Sequence, residues 1–511
     1  MTDNEFTPSD IDRRQFVKAT GLASTGGLAA MAGCTGNSGG SGSDSSNGGN
    51  GDSGSSGSTE KPDEIQEGGT LIWGHSEVTQ NLDIHQTGTA STGRFLNSVY
   101  EPLVGLTSDL ELSTETDIQN PGLASNWEVS DDLLTYTFTL REGVMFHNGT
   151  ELTAEDVKYS YDRIADPDTG AIMQFLFDST DEVVVEDDYT VVINQSERYQ
   201  PLLRQLAFSG TSIVPADSGD QIGQEPIGTG PFQFGMRQQG NRAELEAHDD
   251  YWGEGPYLDM VEERTVTDPD SRLTGIQESQ FDLINDIPLD DINSVVSNDG
   301  NGLQTQTWSP LSWAFLNMNN TEEPFDDRDF RAAIDYAIDK QGLVEGALFG
   351  NGQPTASPSF PNSPFRNEEL SPRERDLERA QELFEQSSYN PEDYDLTFKV
   401  TTNYPWHVDA ATIIQQYLQE VGLSIELQQL QWSDWLTQVW TNQDFSLSMV
   451  NFFTFWEPAY MYTSMWGTDG SFNFRGYSSD NYDETLAQAA EASGREEAIS
   501  LYQEAQQVLY D

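Results

Sequence analysis

The sequence predicts an α/β fold of two or more lobes. Three observations carry this. About 450 residues follow a Gly/Ser-rich stretch, too many for one simple core. Strand-like alternation and helix-like periodicity are interleaved along those residues. Within 409–427 a helix, a glycine and a strand follow one another, the pattern of a βαβ unit.

Taken in chain order, "GGTLIWG" (68–74) reads as a first strand. In 131–149, Tyr136, Phe138 and Leu140 alternate with Thr135, Thr137 and Thr139, the period of a half-buried strand. A helix follows in 149–164, with Thr153 as cap and Glu155 and Asp156 at its positive end. "DYTVVINQ" (188–195) is another strand. In 326–339, Phe330, Ala333, Ile334, Ala337 and Ile338 fall on one helical face. The segment 409–427 is a helix stopped at Gly422, then a strand through Leu423, Ile425 and Leu427. No internal repeat is visible.

The first 67 residues read as address and tether rather than fold. Arg13 and Arg14, followed by Phe16, Val17 and Lys18, resemble a twin-arginine export signal. Residues 19–33 are small and uncharged, and too short for the roughly 20 residues that span a bilayer. They run into Ala32-Gly33-Cys34, which resembles a lipobox and implies a lipidated Cys34 as the mature first residue. Cys34 is the only cysteine, so no internal disulfide forms. Residues 35–59 hold nine Gly and nine Ser, a flexible coil spanning roughly 25–30 Å. The G-x-S-x-G letters at 36–40 lack a flanking strand and helix and mark no nucleophile.

Composition bounds the partners. Against 24 Lys and Arg stand 86 Asp and Glu, a net charge of −62. Eleven Trp, nineteen Tyr and twenty-five Phe supply a core, so the charge is not disorder. It fits a protein adapted to molar salt, where a Debye length of about 3 Å screens surface carboxylates. Together with only five Lys, this suggests a halophilic, archaeal source. No basic stripe exists for nucleic acid.

Five stretches in order carry a family resemblance: 82–106, 121–164, "PIGTGPFQF" (226–234), 250–264 and 315–339. They resemble the extracytoplasmic solute-binding proteins of ABC transporters, peptide/nickel (family 5) class, and the likeness runs from about residue 68 onward. The resemblance implies a type II, periplasmic-binding-protein-like fold of two hinged α/β lobes with an extra subdomain inserted in lobe I. Lobe I is expected at 68–106, 208–305 and a return at 486–511; the insert at 107–207; lobe II at 306–485. One departure stands out. The family usually continues past the helix of 495–511 with elements that rejoin lobe I, whereas this chain stops at Asp511, which marks either a fragment or a lobe closed differently.

The resemblance also places the site. In 451–466 the family carries an acidic residue before a proline, and its peptide-binding members pair an aspartate nearby with the ligand's amino terminus. Here Glu457 precedes Pro458, with Trp456 and Tyr460 as aromatic walls. The loop 401–410, at a strand's carboxyl end, offers Tyr404, Trp406 and His407. Thr87 faces the cleft from the first lobe by resemblance. Trp313, with Trp308 and Ser312 beside it, lies at the strand that crosses between lobes, and Arg331 braces structure.

Enzyme signals are missing. There is no HExxH, P-loop or CxxC, and the five His are scattered without metal spacing. The expectation is a non-enzymatic, monomeric receptor without metal or cofactor, lipid-anchored outside the cell membrane. It captures a solute for an ABC permease. A short peptide is the favoured solute; a nickel chelate, an oligosaccharide or another solute stay open, and a secreted hydrolase is the remote alternative.

Overall fold

The computed structural model describes residues 67–76, 81–87, 90–107, 111–115, 121–216, 218–285, 287–296, 303–305, 312–453 and 457–511. Arg13, Arg14, Cys34, Trp308 and Trp456 lie outside them. Among the described residues no helix is long and apolar enough to cross a membrane.

Among the described residues, three larger sheets organise the fold. The first is five-stranded, in the order β11-β1-β10-β9-β8. Its members are β1 (Thr70–His75), β8 (Phe232–Gln238), β9 (Arg242–Ala247), β10 (Met260–Thr265) and β11 (Leu283–Ile284). β1 runs parallel to β10 and β11, while β9 is antiparallel to both β10 and β8. A two-stranded ladder, β2 (Gly105–Leu106) with β3 (Leu112–Ser113), leads out of it. The second large sheet, β4-β5-β7-β6, is antiparallel throughout. It comprises β4 (Ala124–Val129), β5 (Thr135–Leu140), β6 (Thr180–Asp187) and β7 (Thr190–Gln195). The third, β12-β15-β13-β14, comprises β12 (Ser312–Met318), β13 (Asp395–Thr401), β14 (Ser424–Leu430) and β15 (Leu447–Phe453). There β13, β14 and β15 are parallel and β12 is antiparallel to β15.

The sequence patterns translate directly. On β5, Tyr136, Phe138 and Leu140 are buried and Thr139 is exposed, as period two requires. The helix Ala154–Ala165 is capped at Thr153, whose backbone N–H donates to Asp156 at 2.8 Å. The other Asp156 oxygen accepts from Ala216 N–H at 2.9 Å, which pins the helix to the chain returning to the first sheet. The helix Arg328–Ala337 starts at Asp327, which accepts from Phe330 N–H at 3.0 Å. It buries Phe330, Ala333, Ile334 and Ala337 against the third sheet, each large side chain contributing roughly 1.5–3 kcal/mol. Gly422, at φ +90°, ends the segment after Pro405–Glu420 in the left-handed region, and β14 then lies parallel to β13.

The segment 401–410 differs from the loop that its composition suggests. Pro405 opens the helix Pro405–Glu420, so Trp406 and His407 sit in a helical first turn and only Thr402–Tyr404 is loop. Proline's fixed φ and missing N–H suit that first position. The helix Arg495–Tyr510, assigned to lobe I from sequence, packs with Ala459–Trp466, Asp480–Ala490, Trp313 and Phe315 on the flank of the third sheet. Its Tyr502 is buried in that cluster.

Candidate functional site

The frame of the site is built from the segments that looked most family-like. Glu101 is buried and collects three donors: Thr229 Oγ1 at 2.7 Å, Trp252 Nε1 at 2.8 Å and the Tyr251 hydroxyl at 2.9 Å. Burial pushes its carboxyl up to about 7, against the pull of those hydrogen bonds. One carboxyl therefore ties 82–106, 226–234 and 250–264 together. The Gly-Thr-Gly run is needed because the backbone of Ser98 and Val99 passes against it. A Cβ on Gly228 would stand 2.0 Å from the Val99 carbonyl oxygen, and one on Gly230 2.6 Å from that of Ser98. His147 Nε2 meets the Gly230 carbonyl at 3.0 Å, fixing the antiparallel sheet to the same run.

The loop bearing Thr87 is held equally firmly. Asp83 takes a two-pronged ion pair from Arg163, at 2.6 and 3.1 Å, and the same guanidinium donates to His85 Nδ1 at 2.7 Å. His85 then donates from Nε2 to the Ser212 carbonyl at 2.9 Å. Burial lowers His85 to about 4, so the ring is neutral and this tautomer is fixed. Thr87 is half-buried, its N–H on the Asp83 carbonyl at 3.0 Å. The His85 carbonyl accepts from Ile172 N–H at 2.9 Å, which carries the loop toward Phe175.

Opposite lie the carboxyl ends of β13, β14 and β15, the place where parallel α/β sheets bind ligands. Glu457 follows β15 and is fully buried. Its Oε2 stands 3.7 Å from Arg204 Nε, an ion pair too long for a hydrogen bond, and Oε1 accepts from Ala459 N–H at 3.5 Å. Burial raises the Glu457 carboxyl to about 7, while Arg204 pulls it down. Arg204 comes from the short helix Leu202–Gln205, in the core of the antiparallel sheet, so the pair bridges two structural bodies. Beside it, Tyr460 stacks on Phe175 with ring centres 3.6 Å apart and planes at 13°. The aromatic run continues from Tyr460 through Phe472 and Phe452 to Trp313, at successive centre distances of 5.8, 6.1 and 6.4 Å. Arg495 to Glu111, at 2.7 Å, and Gln200 N–H to the Ala490 carbonyl, at 2.9 Å, close the same seam.

Residues 119–474 match the model of the bacterial extracellular solute-binding proteins, family 5 middle. The chain belongs to this family. It is 27% identical over 443 residues to the glutathione-binding protein GsiB of Salmonella paratyphi A, covering 84% of each chain. Among solved structures it resembles DppA of Helicobacter pylori in complex with the peptide STSA. There the TM-score is 0.71 and the identity 23%, over 87% of this chain and 91% of that one. It also resembles NikZ of Campylobacter jejuni in complex with Ni(L-His), with TM-score 0.72 and 20% identity, over 86% and 90%. These likenesses establish the two-lobe, type II α/β architecture of a family 5 solute-binding protein.

Within that family 5 frame, the residues read from sequence fall into two groups. Glu457, Tyr460 and Trp313 share the seam just described, and the Thr87 loop reaches its Phe175 side. Tyr404, Trp406 and His407 form their own cluster at the β13 end, with ring centres 5.0 Å (Tyr404–His407) and 4.0 Å (Trp406–His407) apart. Tyr404 is 40% exposed, Trp406 packs on the third-sheet core and His407 is buried, its imidazole held neutral at about 4 by burial. Arg331 donates to the Phe325 carbonyl at 2.6 Å, a structural brace. No group of three or more metal-ligating side chains occurs among the described residues. Sequence reasoning missed Arg204, Phe175 and Glu101. Arg204 and Phe175 carry no local motif; Glu101 lay inside a quoted segment, but its three donors come from distant stretches.

Proposed function

We propose that this family 5 protein is a lipid-tethered receptor outside the cell membrane, exported by a twin-arginine route and anchored through Cys34. It captures a short peptide between its lobes and passes it unaltered to an ABC permease. Lobe I is assigned to 68–106, 208–305 and the return at 486–511, the insert to 107–207 and lobe II to 306–485, and the helix Arg495–Tyr510 of that return packs against lobe II. Lobe closure expels water and strengthens polar contacts to the solute, and the closed form is favoured only because the solute binds it better. The tether holds the receptor near its permease and raises its effective concentration there.

The buried Glu457 carboxyl carries the peptide reading. Its Oε2 has a cation nearby but no hydrogen-bond donor among the described residues. A peptide ammonium supplies both charge and donors, and burial protects the contact from screening by salt. Tyr460 and Phe175 offer an aromatic wall beside it. The known ligands of its relatives, glutathione and the peptide STSA, contain free amines, which favours this class over sugars. The nickel–histidine complex of NikZ makes a metal chelate the second reading.

The test is calorimetric titration of the solute-stripped protein in molar salt with short peptides and their N-acetylated forms. The free-amine peptide is expected to bind, with acetylation or Glu457→Gln each weakening it at least about tenfold, and neither peptide is cleaved. Equal affinity of Glu457→Gln and the wild type would remove Glu457 as the amine anchor.

A further inference from the structure

Among the described residues, one cation on the aromatic face of the third sheet has no carboxylate paired with it. Arg475 is 5% exposed. Its guanidinium carbon stands 4.9 Å from the Phe315 ring centre, 5.2 Å from Phe474 and 5.8 Å from Trp466. Nη2 makes a long 3.4 Å contact to the Phe472 carbonyl, whereas Nε and Nη1 are buried without any acceptor among the described residues. The titratable side chain that bears on it among the described residues is the phenol of Tyr482, which burial keeps protonated and therefore uncharged. Scarcity of acid does not explain this, since the chain has 86 carboxylates.

A second unmet donor packs on the same rings. Trp313 lies on β12, two residues before Phe315 and on the same face. Its ring centre is 4.9 Å from Phe315 and 5.3 Å from Trp466, and its indole N–H is buried without an acceptor. Ring faces offset part of the guanidinium charge but accept nothing from its in-plane N–H groups. Three buried donors around two aromatic rings need an acceptor, and a single negative charge matches the single positive one.

We infer that Arg475, flanked by Trp313, binds one small monoanion in a buried site: a free halide ion, or a carboxylate carried by the captured solute. The second source rests on the receptor reading above; the first does not.

The experiment uses the full solute-stripped chain, chloride-35 line broadening at fixed sodium concentration, and bromide-substituted crystals. The wild type should show saturable excess line width and an anomalous bromide peak beside Nε and Nη1 of Arg475. Arg475→Met should lose at least about tenfold in chloride affinity. Trp313→Phe keeps the ring stack, removes only the N–H and should weaken chloride several-fold, so the inference stays testable if the first variant does not fold. Displacement of chloride by a free-acid tetrapeptide, but not by its C-terminal amide, assigns the site to the solute's carboxylate. Chloride that stays bound in the presence of both assigns it to a resident halide. Chloride binding with no peptide binding sustains the site and sinks the peptide reading. Identical line widths in wild type and both variants, with no bromide peak at Arg475, overturn the inference.

Discussion

Removing the charge of Glu457 perturbs the seam between the bodies most directly. At 3.7 Å, and an effective dielectric constant of 20, the attraction between Glu457 and Arg204 is about 4–5 kcal/mol. Desolvating two buried ions costs several kcal/mol, so the pair as a whole is close to neutral. Deleting one partner is different, because the remaining buried charge loses this attraction and keeps its desolvation cost. Glu457→Gln and Arg204→Met should each destabilise by about 3 kcal/mol, while the double variant should lie within about 1 kcal/mol of wild type. The coupling, about 5 kcal/mol or more, is read from urea unfolding in molar salt, followed by tryptophan fluorescence. It should be largest at pH 8, where a carboxyl raised to about 7 is ionised, and should shrink by pH 5.5. Single-variant losses that simply add, with coupling below about 0.5 kcal/mol at pH 8, would refute an electrostatic seam.

Other consequences follow from the frame. Gly228→Ala drives a Cβ into the Val99 carbonyl, at 2.0 Å, and should cost about 3 kcal/mol or more by thermal or urea unfolding. Glu101 is protonated in the native state up to about 7 but, with an ordinary value of 4.5, is ionised above that when unfolded. Stability therefore falls as pH rises between those values, by about 2–3 kcal/mol from this group, and levels off above 7. Glu101→Gln should flatten that segment of the urea-midpoint profile relative to wild type. The net charge of −62 should make the melting temperature climb by several degrees from about 0.1 M to about 1 M NaCl, and a flat response would contradict the salt-adapted reading.

The fold was legible where local periodicity and packing agree. Tyr136, Phe138 and Leu140 announce β5, and Asp327 with Phe330 and Ile334 announces a capped helix. Even the Gly-Thr-Gly run was quotable, although its reason, the passing backbone of Ser98 and Val99, appears only in three dimensions. The candidate site was half legible. Glu457 and Tyr460 share one short segment beside a proline, so a linear reading finds them. Their partners Arg204 and Phe175 lie in the antiparallel sheet's core and meet them only when the chain closes on itself. Arg475 gave no signal, because an arginine is informative only once its missing partner can be seen. Local composition also misjudged Trp406 and His407, because Pro405 opens a helix there rather than ending one.

Small-angle scattering in molar salt, on the full chain before and after addition of a solute that shifts its melting temperature, tests the clamp itself. Two bodies that meet through Glu457–Arg204, Tyr460–Phe175 and Arg495–Glu111 should draw together, so the radius of gyration should contract on binding. Glu457→Gln should blunt that contraction. A scattering profile that stays the same with and without bound solute would contradict capture by lobe closure.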